Sequence, residues 1–169
     1  MPAEPFSLAT PHRTHTCGDL RDADAGKQVK LAGWVHRRRD YGKLVFIDLR
    51  DRHGITQVVV DAADAPEAHD LAAQVRSEYV ITVEDTVAHR EPGQENAKLA
   101  TGDVEVQATK VTILNEARTP PFYVNDPEAT IDESLRLKYR YLDIRREAMQ
   151  QRLLLRSRLV QAIREVHHA

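Results

Sequence analysis

The sequence predicts a mainly β fold, a small barrel of five strands with one inserted helix, followed by a helical segment. Five runs between residues 28 and 115 alternate apolar and polar side chains, which is the period of a strand with one buried face. Between the third and the fourth run, apolar residues recur at helical spacing instead. Beyond residue 132 the spacing is helical throughout. A chain of 169 residues can bury one core of this kind and carry an appendage.

The first three strands are predicted to form a meander. The string KQVKLAGWV alternates in character, and the string ITQVVVD is rich in β-branched residues, as strands are. Between them, LVFIDLRD places Val45, Ile47 and Leu49 on one face and leaves Phe46 and Asp48 on the other. The strings DYGK and DRHG supply the two turns.

The second half of the barrel begins with the inserted helix. The string DAPEAHDLAAQVRSE carries Ala68, Leu71, Ala72 and Val75 on one helical face, with Pro66 suited to the first turn. The strings YVITVEDTVAHR and DVEVQATKVTILNE then predict the fourth and fifth strands. Three strands, a helix and two strands is the order of an OB-fold, a five-stranded Greek-key barrel whose second and third strands and adjoining loops bind oligonucleotides.

These elements divide the chain into four segments. Residues 1–15, without periodicity, are predicted to be a disordered leader, and residues 16–115 form the barrel. Residues 116–132 read as a Pro-containing linker, and residues 133–169 as helices. A small barrel leaves the apolar stripe of the last helix unpaired, which indicates pairing with another chain or a sequence that stops within a domain. That stripe consists of Met149, Leu153, Val160 and Ile163, flanked by Leu155, Leu159 and Val166.

The composition and charge restrict the class of protein. The net charge of −2 hides two basic segments, residues 27–61 and 136–164, which suggest a polyanionic partner, although such runs also form solvated faces. No apolar run is long enough to span a membrane, and the N-terminus does not resemble a secretory signal, so we expect a cytoplasmic protein. The single cysteine, Cys17, excludes an internal disulfide and is expected to be a buried small hydrophobe.

The outer face of the second strand carries the pattern of a nucleic-acid site. An aromatic ring such as Phe46 among cations can stack on a base, Gln57 offers a donor and an acceptor, and Arg39 offers a planar fork. Alone, one exposed aromatic residue is common, and a run such as Arg37, Arg38 and Arg39 also suits a solvated strand end. Together, at the position that OB-folds use for binding, they favour nucleic acid.

No catalytic constellation or metal site is evident in the sequence. There is no GxGxxG, GxxxxGK[ST] or HExxH string. Asp48 and Asp51 lie among strand arginines, so ion pairing is the simpler interpretation of these two carboxylates. His36, His53 and His89 are interpreted as surface or loop residues rather than ligands.

Four strings resemble a known family. CGDLR, LAGWVHRRRDYGKLVFIDLRDRHGITQVVV, TGDVEVQATKVTILNEA and RLKYRYLDIRR are similar to the N-terminal part of bacterial-type aspartyl-tRNA synthetases, which are class II enzymes, over residues 16–169. The resemblance implies an anticodon-binding barrel within an aspartate–tRNA ligase that uses ATP and Mg²⁺ and releases AMP. It also implies that the catalytic motifs are absent from this chain, which would be an inactive N-terminal fragment, and that residues 149–166 contribute to a homodimer.

The resemblance assigns roles to four residues of the barrel. It implies that Phe46 stacks on the central anticodon base and that Gln57 reads the edge of that base. It implies that Arg39 contacts the anticodon and that Glu105 binds its first base. The aspartate anticodon is GUC, and a carboxylate can accept from N1–H and N2–H of guanine, so the side-chain chemistry agrees with these roles.

Further contacts and the choice of tRNA are less determined. The candidates for phosphate or specificity contacts are Arg37, Arg38, Tyr41, Lys43, Gln94 and Asn96. Tyr41 and Gln94 match neither family group, one accepting tRNA(Asp) alone and one also accepting tRNA(Asn), so tRNA(Asn) stays open as a second partner. Two alternatives stay open as well: a stand-alone, non-catalytic OB module for RNA binding or dimerisation, and the related asparaginyl-tRNA synthetase.

Overall fold

A computed structural model describes residues 9–126 and 129–168 and divides the chain into two compact units, one ending at Arg118 and the other beginning at Thr119. The first unit is a closed barrel of five strands with one helix, preceded by a short 3₁₀ turn. Its elements are β1 (Gln28–Asp40), β2 (Leu44–Arg50), β3 (Ile55–Asp61), α1 (Pro66–Gln74), β4 (Val80–His89) and β5 (Val104–Asn115).

The strands close in the order β1-β2-β3-β5-β4, and β4 pairs back onto β1. Neighbouring strands are antiparallel except β3 and β5, which run parallel where Val58 faces Val106. The connection between these parallel strands contains α1 and β4, as a parallel pair requires a long crossover. This order and closure confirm the OB-fold that the sequence predicts.

The barrel core follows from the alternation of its strands. Val45, Ile47 and Leu49 of β2 are fully buried, as predicted, and Phe46 lies half-buried on the opposite face. In α1, Ala68 and Ala72 face the core as predicted, whereas Leu71 remains 38% exposed. The prediction that Leu71 lies on the buried face of α1 is therefore wrong, because this nine-residue helix presents only a narrow stripe to the barrel.

The segment before β1 is bound to the barrel. Residues 1–8 of the predicted leader lie outside the described residues, but the Thr14 amide donates to Lys30 O at 2.8 Å. Asp51 Oδ2 accepts from the Cys17 amide at 2.9 Å and lies 3.6 Å from Arg13 Nη1. The described part of the leader is thus ordered, and Asp51 pairs with Arg13 rather than with a strand arginine. Backbone amides of Thr14 and Cys17 and the ion pair of Arg13 hold this segment, and such contacts leave no periodic pattern in a sequence.

The second unit contains the helices α2 (Glu133–Lys138), α3 (Arg140–Asp143) and α4 (Glu147–His168). Phe122 and Val124, from the predicted linker, are buried against Leu142. Two residues of that predicted linker therefore contribute to a small core. In α4 the large apolar side chains from Leu153 to Val166 are exposed, whereas Met149 is half-buried. No helix among the described residues is long and apolar enough to cross a membrane.

A buried carboxylate organises the start of the second unit. Asp143 is 0% exposed, and its oxygens accept from Arg136 Nε at 2.9 Å and from Arg140 Nη1 at 2.7 Å, with Arg146 Nη1 at 3.9 Å. Burial by itself would raise the pKa of Asp143, but Arg136, then Arg140 and Arg146, outweigh it and hold that pKa below the usual value. Asp143 therefore stays charged and joins α2, α3 and the turn before α4.

Replacing this carboxylate should loosen the second unit alone. We expect Asp143→Asn to cost about 2 kcal/mol locally, since hydrogen bonds to charged groups are lost. Backbone amides of residues 135–146 should then exchange with solvent about thirtyfold faster, while amides of β2 and β3 should not change. Hydrogen exchange followed by NMR measures both regions in one experiment.

The difference in stability between the wild type and Asp143→Asn should depend on pH. Because the pKa of Asp143 is lowered on folding, its contribution is present above the ordinary aspartate pKa and is lost as pH falls through the lowered value. The variant and the wild type should therefore differ at neutral pH and converge in acid. The exposed Glu133→Gln serves as the charge-matched control, and equal exchange in both variants would contradict the role given to Asp143.

Candidate nucleic-acid interface

One face of the barrel forms a groove of about 960 Å³. It is lined by the end of β1, by β2, β3 and β5, and by the loop that follows β4. The four residues to which the resemblance gave anticodon roles all line it: Arg39, Phe46, Gln57 and Glu105. Four of the further candidates line it as well: Arg37, Tyr41, Gln94 and Asn96.

Strand register brings these side chains together. Cross-strand partners point to the same face of a sheet. Arg39 pairs with Phe46 between β1 and β2, and Asp48 pairs with Gln57 between β2 and β3. The parallel pairing of β3 with β5 then places Glu105 beside Gln57. The residues thus reach one groove from four strands that are distant in sequence.

A chain of hydrogen bonds crosses the floor of the groove. Arg39 Nη2 donates to Asp48 Oδ1 at 2.9 Å and to Gln57 Oε1 at 3.1 Å. Gln57 Nε2 in turn donates to Glu105 Oε2 at 2.8 Å. The pairing predicted for Asp48 is therefore present, with Arg39 as its partner. Each link has a donor and an acceptor of known type: Arg39 donates to both Asp48 and Gln57, and Gln57 donates to Glu105, so both ends of the chain are acceptors.

The aromatic ring of the groove has two neighbours. The guanidinium carbon of Arg39 lies 5.8 Å from the centroid of the Phe46 ring, within the range of a cation–π contact. Tyr41 stands edge-on to the same ring, with centroids 5.7 Å apart and planes at 86°. Both contacts restrict the Phe46 ring before any ligand arrives.

The loop between β1 and β2 is held by one residue of α1 and one residue just before that helix. The amide of Ala62 donates to Lys43 O at 2.9 Å, and His69 Nε2 lies 2.9 Å from Gly42 O. Gly42 has a φ of +79°, a left-handed conformation that other residues rarely adopt, so the tight turn requires glycine here. These contacts hold the loop that carries Tyr41. The Lys43 side chain is exposed and does not line the groove.

The structure also leaves Arg38 outside the groove. Arg38 pairs with Ile47, whose side chain faces the core, so Arg38 lies on that side of β1. Arg37 and Arg39, its neighbours in sequence, therefore point to the opposite face of the strand. The guanidinium of Arg38 donates to Ala73 O near the end of α1, and Arg38 lines a separate hollow with Arg76. The strand period thus separates Arg37 and Arg39 from Arg38, although the three are consecutive.

The sequence analysis missed Arg90. This residue directly follows β4 and is only 8% exposed, yet it lines the groove. Its Nε donates to Val104 O at 3.2 Å, and within the described structure its Nη2 is buried without a hydrogen-bond partner. A buried, unsatisfied guanidinium nitrogen is costly in the free protein and is suited to an acceptor on a ligand. No periodic signal in the sequence pointed to it, since only closure of the barrel brings this residue beside β5.

The environment of Glu105 perturbs its ionisation. Burial raises the pKa of Glu105 above the usual glutamate value, and the hydrogen bond from Gln57 opposes this only in part. A carboxylate with a raised pKa in a groove is a candidate for binding donors, since new N–H donors would stabilise its charged form.

The other titratable candidates lie apart from this groove. His36 was predicted at the surface, but it is half-buried, and its Nδ1 lies 3.0 Å from Arg50 Nη1. Burial and then Arg50 lower the pKa of His36. Burial also raises the pKa of Cys17, which disfavours the thiolate. Across residues 9–126 and 129–168, no three His, Cys, Asp or Glu side chains cluster as a metal site.

The closed barrel and its aromatic, arginine-lined groove define a nucleic-acid-binding module of the OB class. A family model described as an OB-fold nucleic acid binding domain, tRNA anti-codon, matches residues 29–114, just over half of the chain. The chain belongs to this OB-fold nucleic acid binding domain family. A second model, described as class II tRNA synthetases (D, K and N), matches residues 132–169.

Curated relatives extend the similarity over nearly the whole chain. The chain is 55% identical over 158 residues to an aspartate–tRNA(Asp/Asn) ligase of Moorella thermoacetica and 51% identical over 158 residues to one of Rubrobacter xylanophilus. Each match covers 94% of this chain and 26% of the relative, so the chain spans about a quarter of their length.

Solved structures agree with this assignment. Asparaginyl-tRNA synthetase of Pyrococcus horikoshii has a TM-score of 0.74 at 29% identity, over 89% of this chain and 34% of its own. A putative aspartyl-tRNA synthetase of Leishmania major has a TM-score of 0.69 at 27% identity, over 82% and 29%. The similarity in structure thus includes both the aspartyl and the asparaginyl enzymes.

The raised pKa of Glu105 has a consequence for stability. Because the folded protein binds this proton more tightly than the unfolded chain does, ionised Glu105 destabilises the fold at neutral pH. We therefore expect Glu105→Gln to raise the unfolding midpoint at pH 7, and the gain should vanish below the ordinary glutamate pKa. Urea unfolding followed by the fluorescence of Trp34 in β1 measures this, since it is the only tryptophan.

A second carboxylate on the barrel provides the control. Lys30, 3.0 Å away, and Lys110 lower the pKa of the partly exposed Glu84 on β4. Glu84→Gln should therefore give no gain in stability at pH 7. A gain of similar size in both variants would show that the loss of negative charge, and not the environment of Glu105, is responsible.

Proposed function

We propose that the groove binds the anticodon loop of tRNA(Asp), and that the chain is the tRNA-binding part of an aspartate–tRNA ligase acting in the cytoplasm. The observation that carries this proposal is the hydrogen-bonded chain from Asp48 to Glu105, which runs beside the Phe46 ring in one groove. A stacking ring next to directional hydrogen-bonding groups is the arrangement that reads unpaired bases. The identity with curated aspartate–tRNA(Asp/Asn) ligases supports the choice of substrate.

The side chains suit the bases G, U and C of that anticodon. Phe46 would stack on the central base, and Gln57 would bind its edge. Glu105 would accept from N1–H and N2–H of the guanine at the first position. Arg39 and the unsatisfied Nη2 of Arg90 would donate to phosphate or base oxygens.

The same groove suits tRNA(Asn), which we propose as a second substrate. The anticodons of the two tRNAs share G and U at the first two positions, and these are the positions given to Glu105, Gln57 and Phe46. The curated relatives from Moorella thermoacetica and Rubrobacter xylanophilus carry Asp/Asn in their names. The structural similarity to asparaginyl enzymes lies at lower sequence identity and supports the shared barrel.

The catalytic step is proposed for a longer protein that contains this segment. ATP and Mg²⁺ would supply activation of the amino acid there. The described residues of this chain hold no cluster of acids, histidines or cysteines suited to a metal ion. The contribution of this chain would be to bind and orient the tRNA, and no chemical step is assigned to it.

We also propose that α4 takes part in a homodimer. Leu155, Ile163 and other apolar side chains of this helix are between 38% and 78% exposed. Light scattering at high protein concentration should approach twice the monomer mass of 19.2 kDa, and Ile163→Glu should restore the monomer, since a buried charge is costly. Gln161→Glu on the same helix is the control. A monomer mass for the wild type at all concentrations would contradict this proposal.

The stacking role of Phe46 provides the test of anticodon binding. We expect Phe46→Ala to weaken binding of a tRNA(Asp) anticodon stem-loop by about 1–3 kcal/mol, the value of one base–aromatic stack. Fluorescence anisotropy with a labelled stem-loop measures the change at fixed salt. In the longer ligase, the same substitution should lower kcat/KM for the tRNA by a similar factor.

The control for this experiment is an aromatic residue outside the groove. Tyr123 is 49% exposed and does not line the groove, so Tyr123→Ala should bind the stem-loop as the wild type does. Circular dichroism verifies that both variants fold. An affinity change below about twofold for Phe46→Ala would contradict stacking, because it is well under 1 kcal/mol.

A further inference from the structure

The oxygen and the nitrogen of the Gln57 amide each contact a neighbour that can act in only one way, as a hydrogen-bond donor or as an acceptor. Its Oε1 accepts from Arg39 Nη2 at 3.1 Å, and its Nε2 donates to Glu105 Oε2 at 2.8 Å. A guanidinium has only donors, and an ionised carboxylate has only acceptors. A reversed amide would therefore set N–H groups against Arg39 and an oxygen against Glu105. The amide has one favourable orientation in the free protein.

The arginine at one end of this arrangement is itself anchored. Arg39 Nη2 lies 2.9 Å from Asp48 Oδ1, and Asp48 stands directly opposite Gln57 in the register of β2 and β3. The Arg39 side chain is 37% exposed, whereas that of Asp48 is 18% exposed. Without the carboxylate, this long side chain would be free to turn towards solvent, and Gln57 Oε1 would lose the donor that fixes it.

We propose that Asp48 is a specificity-determining positioning residue: by anchoring Arg39 it fixes which end of the Gln57 amide faces each side of the groove, and therefore which base edge the amide accepts. This inference rests on the proposed function, because Gln57 has a base to read only if the groove binds RNA. Asp48 acts through Arg39 and needs no contact with the nucleotide.

Hydrogen-bond capacity explains how the orientation selects a base. After its bonds to Arg39 and Glu105, the Gln57 amide retains one lone pair on Oε1 and one hydrogen on Nε2. Uracil presents a donor at N3 and an acceptor at O4, whereas cytosine presents an acceptor at N3 and a donor at N4. The two pyrimidines thus show opposite orders of donor and acceptor. A fixed amide pairs with one order, and an amide that can flip pairs with either.

The test compares two anticodon stem-loops, one with the sequence GUC and one with the central uridine replaced by cytidine. The ratio of their dissociation constants is measured at one salt concentration for the wild type and for Asp48→Asn. We expect the ratio to fall by about fivefold or more in the variant, through partial loss of a hydrogen bond to a charged group. A change in overall affinity alone, with the ratio kept within about twofold, would overturn the inference.

Two further variants separate positioning from charge and from folding. Glu84→Gln removes the same charge from the barrel outside the groove and should leave the ratio unchanged. Arg39→Gln places a side chain that can both donate and accept next to Gln57, so it should lower the ratio as Asp48→Asn does. The double variant should show no further fall in the ratio of dissociation constants, because both changes remove the same restraint on the Gln57 amide. Independent, multiplying effects in the double variant would show that Asp48 does not act through Arg39.

A measurement without RNA distinguishes this inference from the proposed function. In the free wild-type protein, the two Nε2 hydrogens of Gln57 should give separate, slowly exchanging NMR signals. In Asp48→Asn these signals should move towards those of an exposed glutamine. Unchanged signals would overturn the inference that Asp48 fixes the Gln57 amide through Arg39, whatever the RNA experiment shows. If the signals respond but the wild type binds neither stem-loop, the proposed function is wrong and the base selection inferred from it falls as well.

Discussion

The candidate site depends on one short stretch of parallel pairing between β3 and β5, at Val58 with Val106 and Val59 with Gln107. This pairing closes the barrel, and because partners share a face, it places Glu105 beside Gln57, 48 residues away in sequence. The antiparallel meander of β1, β2 and β3 could assemble Arg39, Phe46 and Gln57 by local contacts alone. Glu105 and Arg90 reach the same groove only through the closure. The meander residues and the residues that follow them in sequence therefore share one groove only because of the barrel topology.

Closure also lets the site satisfy its own polar groups before a ligand binds. Asp48, Arg39, Gln57 and Glu105 bond to one another in sequence, and the Phe46 ring lies between Arg39 and Tyr41. Side chains that are already ordered lose less conformational entropy on binding, which favours affinity and specificity together. The exceptions in the described groove are Arg90 Nη2 and Arg39 Nε, which are both buried without a partner. A groove whose unsatisfied buried groups are both guanidinium donors is consistent with acceptors supplied by the ligand.

The sequence could predict what depends on the period of a strand. Alternation alone placed Val45, Ile47 and Leu49 in the core and Phe46 on the outer face. It could not separate Arg38 from its neighbours, because that needs the register of β1 on β2. Non-periodic segments also escaped it: Thr14 is held by backbone hydrogen bonds, and residues 122–124 are held by a small local core. In these cases tertiary contacts override a sequence that reads locally as loop.

Glu105 shows how a groove residue that costs stability could contribute to binding. Burial raises the pKa of this carboxyl group, so its ionised form is less stable in the groove than in water. The single hydrogen bond from Gln57 offsets part of that cost in the free protein. Two N–H donors from one guanine edge would offset more, and they would do so only for a base that presents both donors. Under the proposed function, the desolvation of Glu105 would contribute to selectivity, because a base without those donors would leave the buried carboxylate with only its bond from Gln57.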